Sequence, residues 1–153
     1  MIPVAQASAR ILTRIESLAG EPIATGNAVD RVLSESGTAT VTSPPWDNSS
    51  MDGYAVRSVD IAIGRKLEVI EAVPAGGFPS RAIGSGQSVR VMTGAPVPDG
   101  ADTVIRHEDT DDGRDVVTVR DVRDSGKNIR KRGEDFRAGD LLFEKGEQLR
   151  IAH

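Results

Sequence analysis

Apolar positions near the start of the chain recur at helical spacing. Val4, Ala7, Ile11, Leu12 and Ile15, with Ser8 on the same stripe, follow the i, i+3, i+4 pattern of an amphipathic helix. Pro3 suits its first turn, and Gly20 followed by Pro22 stops it. A second helix is expected over 27–36, with Ala28, Val29, Val32 and Leu33 as its apolar face and Gly37 closing it. Both are short and need a partner surface. Past Gly37 the period changes. The runs 38–41, 54–57, 67–73, 89–92, 103–106 and 116–122 are brief, β-branched and separated by turn residues. That spacing is one of an all-β barrel or sandwich, not of alternating βαβ units. The glycine pairs at 76–77 and 84–86 mark loops, and neither has the Gly-Lys-Ser/Thr of a phosphate loop. The character shifts again near Asp124, and 138–146 reads as turn, short apolar strand, turn. No closing element precedes His153, which suggests that further sequence normally follows.

The densest chemistry lies in Ser43-Pro44-Pro45-Trp46-Asp47-Asn48-Ser49-Ser50-Met51-Asp52-Gly53-Tyr54-Ala55-Val56-Arg57. Two successive prolines fix φ and favour an extended approach. Asp47, Asn48, Ser49 and Ser50 can each bond nearby backbone, which is turn chemistry, and Met51-Asp52-Gly53 turns again into a short strand. A stiff polar loop at a strand mouth is where binding groups are commonly placed, although a well-capped surface turn has the same composition. The loop stands out because Trp46 and two carboxylates share it in a chain only 3% aromatic.

Composition narrows the function classes. The chain has 153 residues, enough for one domain or two small ones, and its core must be mostly aliphatic. Nineteen Lys and Arg against 23 Asp and Glu give a net charge of −4, which argues against a nucleic-acid binder or a partner of anionic membranes. Without cysteine there is no disulfide, thiolate metal site or cysteine nucleophile, as suits a cytoplasmic protein. No signal peptide and no apolar run of membrane-spanning length is visible.

Two further stretches carry candidate groups. Val91-Met92-Thr93-Gly94-Ala95-Pro96-Val97-Pro98-Asp99-Gly100-Ala101-Asp102 delivers a hydroxyl and a glycine amide from a strand end, where they can meet an oxyanion or simply cap a turn. Lys127-Asn128-Ile129-Arg130-Lys131-Arg132-Gly133-Glu134-Asp135 places four cations just before two carboxylates. Such a run can hold phosphates, and Asp135 can serve Mg²⁺, or the run is a solvated turn. His107, among Arg106, Glu108 and Asp109, reads as a solvated surface residue, and the Asn48-Ser49-Ser50 sequon has no secretory context.

Together these three stretches resemble the motifs of the MoeA/gephyrin E-domain family, the molybdopterin molybdenumtransferases. Pro44 to Arg57 is similar to the family's hallmark loop, Met92 to Asp102 to its second motif, and Asn128 to Asp140 to its third, in the same order and spacing. Departures are mild: Trp46 where phenylalanine is usual, Asp30 where a glycine is usual, and no proline in 39–42.

The resemblance implies an α+β, mainly β fold. Two N-terminal helices together with 125–153 would form an elongated, discontinuous domain, and 38–124 a β-rich domain of coiled, bifurcated sheets. It also implies that only the N-terminal two-domain portion is present, without the family's MogA-like α/β domain and C-terminal β-barrel. The implied activity is insertion of molybdate into adenylylated molybdopterin with Mg²⁺, releasing AMP. The implied partners are a second copy of the chain, across whose interface the site is completed, and a MogA-like adenylyltransferase domain or protein. By position in the motifs, Asp52, Thr93 and Asp135 match residues implicated in activity, and Arg130, Lys131 and Arg132 match the family's basic, cofactor-binding stretch. Which residues would contact the metal is left open. Such a chemistry needs carboxylates for a metal or its water and cations for anionic groups. The portion by itself is expected to be inactive. The alternative is a stand-alone dimerisation or scaffold module in which the same residues hold turns together.

Overall fold

The computed structural model describes residues 2–153. Its elements are one α-helix, α1 (Val4–Leu12), and the strands β1 (Gly37–Thr38), β2 (Asn48–Ser49), β3 (Gly53–Val56), β4 (Lys66–Val73), β5 (Gln87–Val91), β6 (Thr103–Arg106), β7 (Val116–Thr118), β8 (Ile129–Arg130) and β9 (Leu141–Phe143). The class is therefore mainly β with little helix. The chain forms two compact units, one from 1–38 with 141–153 and one from 39–140. No helix among the described residues is long and apolar enough to cross a membrane.

In the first unit, α1 begins after Pro3 and ends at Thr13, whose hydroxyl donates to the Arg10 carbonyl at 3.0 Å. None of its residues is buried, and Val4, Ile11 and Leu12 are exposed. The second helix expected over 27–36 does not form. Only a single 3₁₀ turn, Thr25–Asn27, is helical there. Asp30 adopts φ +66°, a left-handed conformation that ends a right-handed helix. Beyond it the backbone bonds to a distant segment instead. Leu149 N–H donates to Arg31 O at 2.8 Å, Leu33 N–H to Glu147 O at 2.9 Å, and Val32 bridges Gln148. The apolar spacing of 28–33 reflects a turn at 28–31 followed by a short extended piece docked on 146–149, and then the antiparallel β1–β9 ribbon.

The second unit is built on a five-stranded sheet in the order β6-β3-β5-β4-β7. β5 is central; β3 lies between β6 and β5 and is antiparallel to both, while β4 and β5 run parallel. That parallel pair is joined by the glycine-rich stretch 74–86, with no helix in the crossover, so strand spacing alone misjudged a mixed sheet as a barrel or sandwich. Side chains alternate between two cores, as strand geometry requires. Tyr54 and Val56 of β3 join Leu67, Ile105, Val117 and Val119 on one face. Ala55 joins Val73, Val89, Val91 and Val104 on the other. Gly53 is the tightest point within the strands, since a Cβ there would lie 2.0 Å from the Ile105 carbonyl oxygen. The remaining ribbon, β2–β8, pairs Asn48 with Arg130 and Ser49 with Ile129. Residues 125–140 fall within the compact unit 39–140.

Candidate functional site

The three motif stretches are sewn together by backbone hydrogen bonds. The loop before β3 lies between the other two. On one side, Ser49 N–H donates to Ala95 O at 2.9 Å, Gly94 N–H to Ser49 O at 2.8 Å, and Val97 N–H to Asp47 O at 2.9 Å. On the other, β2 pairs with β8, and Ser50 N–H donates to Asn128 O at 3.0 Å. Further back, Gly133 N–H reaches Pro44 O at 2.9 Å and Asp135 N–H reaches Ser43 O at 3.0 Å. The Ser43–Pro44 peptide is cis. Buried Ser49 pins the turn itself: its hydroxyl donates to Met51 O at 2.6 Å and accepts from Met51 N–H at 3.2 Å. Polar residues that read as loop chemistry are therefore the seam that brings positions 40 to 90 residues apart into one patch.

Asp52 and Thr93 are brought into direct contact. Asp52 Oδ1 accepts from the Thr93 amide at 2.7 Å and from the Thr93 hydroxyl at 2.8 Å. The amide, then the hydroxyl, hold the Asp52 carboxyl below the usual carboxylate range, with smaller help from the charges of His107 and Arg90. Asp52 is exposed, and both bonds fall on Oδ1, which leaves Oδ2 for a partner from outside the unit. Its carbonyl accepts from His107 N–H at 3.1 Å, fixing the turn against the end of β6.

Asp135 lies with a different set. Its Oδ2 accepts from the Ser43 hydroxyl at 3.2 Å, and Oδ1 pairs with the Arg130 guanidinium. Arg130 also reaches Glu134 at 3.3 Å, and these carboxylates hold its guanidinium more firmly protonated. Lys131 Nζ lies 2.8 Å from Asp47 Oδ2, and Arg132 N–H donates to Asp47 Oδ1 at 2.8 Å. Lys131 and that amide hold the Asp47 carboxyl down as well. Of the basic run, the Arg132 side chain makes no ion pair among the described residues, whereas Arg130 and Lys131 are met by carboxylates of the unit. The two expected acids, Asp52 and Asp135, are not in contact, and no group of three His, Cys, Asp or Glu among the described residues converges as a metal cage.

A charged cluster behind the patch was not legible in the sequence. Arg106 holds buried Asp124 with two bonds of 3.0 Å, and Arg106 and Arg123 both reach buried Asp109. The Arg106 guanidinium lowers the Asp124 carboxyl to about 2. Arg106 and Asp124 are 18 residues apart in unlike contexts, and no spacing rule links them.

The MoeA N-terminal region, domains I and II, matches residues 2–153 as a family model. The chain belongs to the MoeA N-terminal family. Among its relatives, the molybdopterin molybdenumtransferase of Staphylococcus aureus (strain Mu50 / ATCC 700699) is 35% identical over 97% of the chain. That of Bacillus subtilis is 34% identical over the same share. A solved molybdopterin biosynthesis MoeA protein from Pyrococcus horikoshii OT3 superposes with a TM-score of 0.87 at 32% identity, over 99% of the chain and 42% of that protein. The chain spans about a third of the length of the curated relatives it matches, 36% in both cases. The MoeA-type hallmark loop is thus the central strip of the patch, with the second and third motifs as its two flanks.

Proposed function

We propose that the chain is the N-terminal part of a cytoplasmic molybdenum-cofactor enzyme that inserts molybdate into adenylylated molybdopterin with Mg²⁺ and releases AMP. In this reading it lends its patch across a homodimer interface to a nucleotide-binding domain of the partner, and receives substrate from a MogA-like adenylyltransferase. The observation that carries the reading is the Asp52–Thr93 contact. An exposed carboxylate, kept ionised by two donors and with one oxygen free, is suited to a hard cation. Mg²⁺ commonly takes only one or two protein carboxylates and completes its shell with phosphate oxygens and water, so the lack of a cage fits a shared metal. Asp52 would hold the ion, which when bound neutralises charge on the phosphoanhydride oxygens. Thr93 would orient the carboxylate, and the Arg132 guanidinium would meet an anionic group.

The ion pairs of Asp135 with Arg130 and of Asp47 with Lys131 favour a second reading for those residues alone. The Asp47–Lys131 pair holds the third motif against the first and the Arg130–Asp135 pair braces the third motif internally, as a scaffold module would require. The test is a chimera in which this chain replaces the matching N-terminal part of the Bacillus subtilis relative. Asp52→Asn keeps an oxygen that accepts the Thr93 bonds, so the fold should survive while insertion falls about 100-fold or more. Full activity in that variant would assign the motifs to scaffolding.

A further inference from the structure

Asp52 Oδ2 is left without a partner among the described residues, and an exposed imidazole stands one strand away. In the β3–β6 ladder Gly53 pairs with Arg106, so Asp52 and His107 are the next positions outward, and the His107 amide donates to Asp52 O at 3.1 Å. Residues paired in this way hold their Cβ atoms about 5 Å apart, which lets a carboxylate oxygen and a ring nitrogen close on one ion. His107 is fixed from behind. Its carbonyl accepts from the Thr110 amide at 3.1 Å and from the Thr110 hydroxyl at 2.8 Å. Its Nε2 lies 3.4 Å from Glu108 Oε1, and Nδ1 meets no group among the described residues. A carboxylate at one ring nitrogen is how metal-ligating histidines are commonly oriented, with the other nitrogen on the metal. Arg90, the other cation felt at Asp52, is 3.0 Å from Asp112, which offsets its charge. The second histidine differs, because His153 Nδ1 accepts from Arg150 N–H at 2.8 Å and its Nε2 meets Glu147 at 3.1 Å.

We propose that His107 is a second ligand to the cation held by Asp52, and that it biases this site toward divalent ions that take imidazole nitrogen, of the class of Ni²⁺ and Zn²⁺. Mg²⁺ prefers oxygen ligands and keeps much of its water, so it gains little from a ring nitrogen, whereas the borderline ions bind nitrogen and oxygen together. One carboxylate oxygen and one nitrogen make an open half-site, with the other positions left to water or to an anionic oxygen of a bound molecule. Glu108 stays outside the metal shell and sets the ring, which agrees with the absence of a three-residue cage among the described residues. The inference rests on the reading of Asp52 as a cation-holding carboxylate and not on the insertion chemistry.

The chain has two histidines, so proton NMR of the untagged 153-residue chain reads the site and an internal control together. The experiment titrates it with NiCl₂ and, separately, with MgCl₂. Ni²⁺ should shift and broaden the His107 ring signals saturably, at about tenfold lower concentration than those of His153. Asp52→Asn should weaken the His107 response about tenfold and leave that of His153 unchanged. The Thr93 amide, which donates to Asp52 at 2.7 Å, reports the carboxylate side. In His107→Gln its response to Ni²⁺ should weaken about tenfold and its response to Mg²⁺ should not change. Both replaced side chains are exposed, so both variants keep the core. Equal responses of the two histidines overturn the proposal, as does a His107 response that survives Asp52→Asn, which marks an imidazole binding alone. If Mg²⁺ moves the Thr93 amide only while Asp52 is present, but Ni²⁺ gains nothing from His107, the second ligand is refuted and the cation-holding role of Asp52 stands. If neither ion is sensed at Thr93, both fall.

Discussion

A carboxylate keeps its charge when donors meet it, and Asp52 meets two from one residue. Thr93 supplies them from the end of β5, so Thr93→Val, which removes only the hydroxyl, should leave the amide bond in place. Insertion by the chimera should then fall less than with Asp52→Asn, and its acid limb should move to higher pH as the Asp52 carboxyl rises toward its ordinary value. A pH–rate profile checks this. Asp124 behaves differently because its role is in stability. Its carboxyl is lowered to about 2 in the folded chain against about 4 unfolded. A depressed folded value contributes stability that is present above the unfolded value and is lost as pH falls through the folded one. The Arg106–Asp124 pair should therefore contribute about 2 kcal/mol at neutral pH, and most of it should vanish between about pH 4 and pH 2. Urea unfolding of Asp124→Asn should be weaker than that of the parent at pH 7, with the gap closing toward pH 2. At this scale the sequence marked candidate side chains but not their partners. Asp52 and Thr93 were both visible in their motifs, whereas Arg106 and Asp124 have no local signature.

Among elements, the longer strands were legible and the shortest were not. β3, β4, β5 and β6 match the β-branched runs to within a residue or two, because burial on alternating faces leaves a pattern. β2 and β8 are two residues each and pair across some 80 positions, so Asn48-Ser49 looked like a turn and nothing more. The stretch 27–36 failed for the opposite reason: its apolar spacing suited a helix, but its hydrogen-bond partners lie at 146–149. Gly53 is the most demanding position in the elements. Its neighbour across β3–β6 leaves no room for a methyl group, so Gly53→Ala should cost about 3 kcal/mol in unfolding free energy, measured by urea titration. Gly94→Ala, at φ +83° in open space, should cost only about 1 kcal/mol from backbone strain.

For the whole molecule, the decisive fact is that three motifs distant in sequence form one surface within the β-rich unit, with the hallmark loop in the middle. Spacing alone does not reveal such convergence. It was expected only because the motifs resemble those of a family, and the backbone bonds at Ser49, Gly94, Asn128 and Asp135 now give it a physical cause. In the proposed function this surface serves a catalytic centre completed by another subunit. The most direct measurement is molybdenum insertion by the Asp52→Asn chimera after addition of the intact 153-residue chain. If Asp52 acts across the interface, the added chain should restore insertion in proportion to the mixed dimers formed, while adding the Asp52→Asn version of the chain restores none. If mixed dimers form and the intact chain restores no activity, although the parent chimera is active, the trans-acting role of this surface is contradicted.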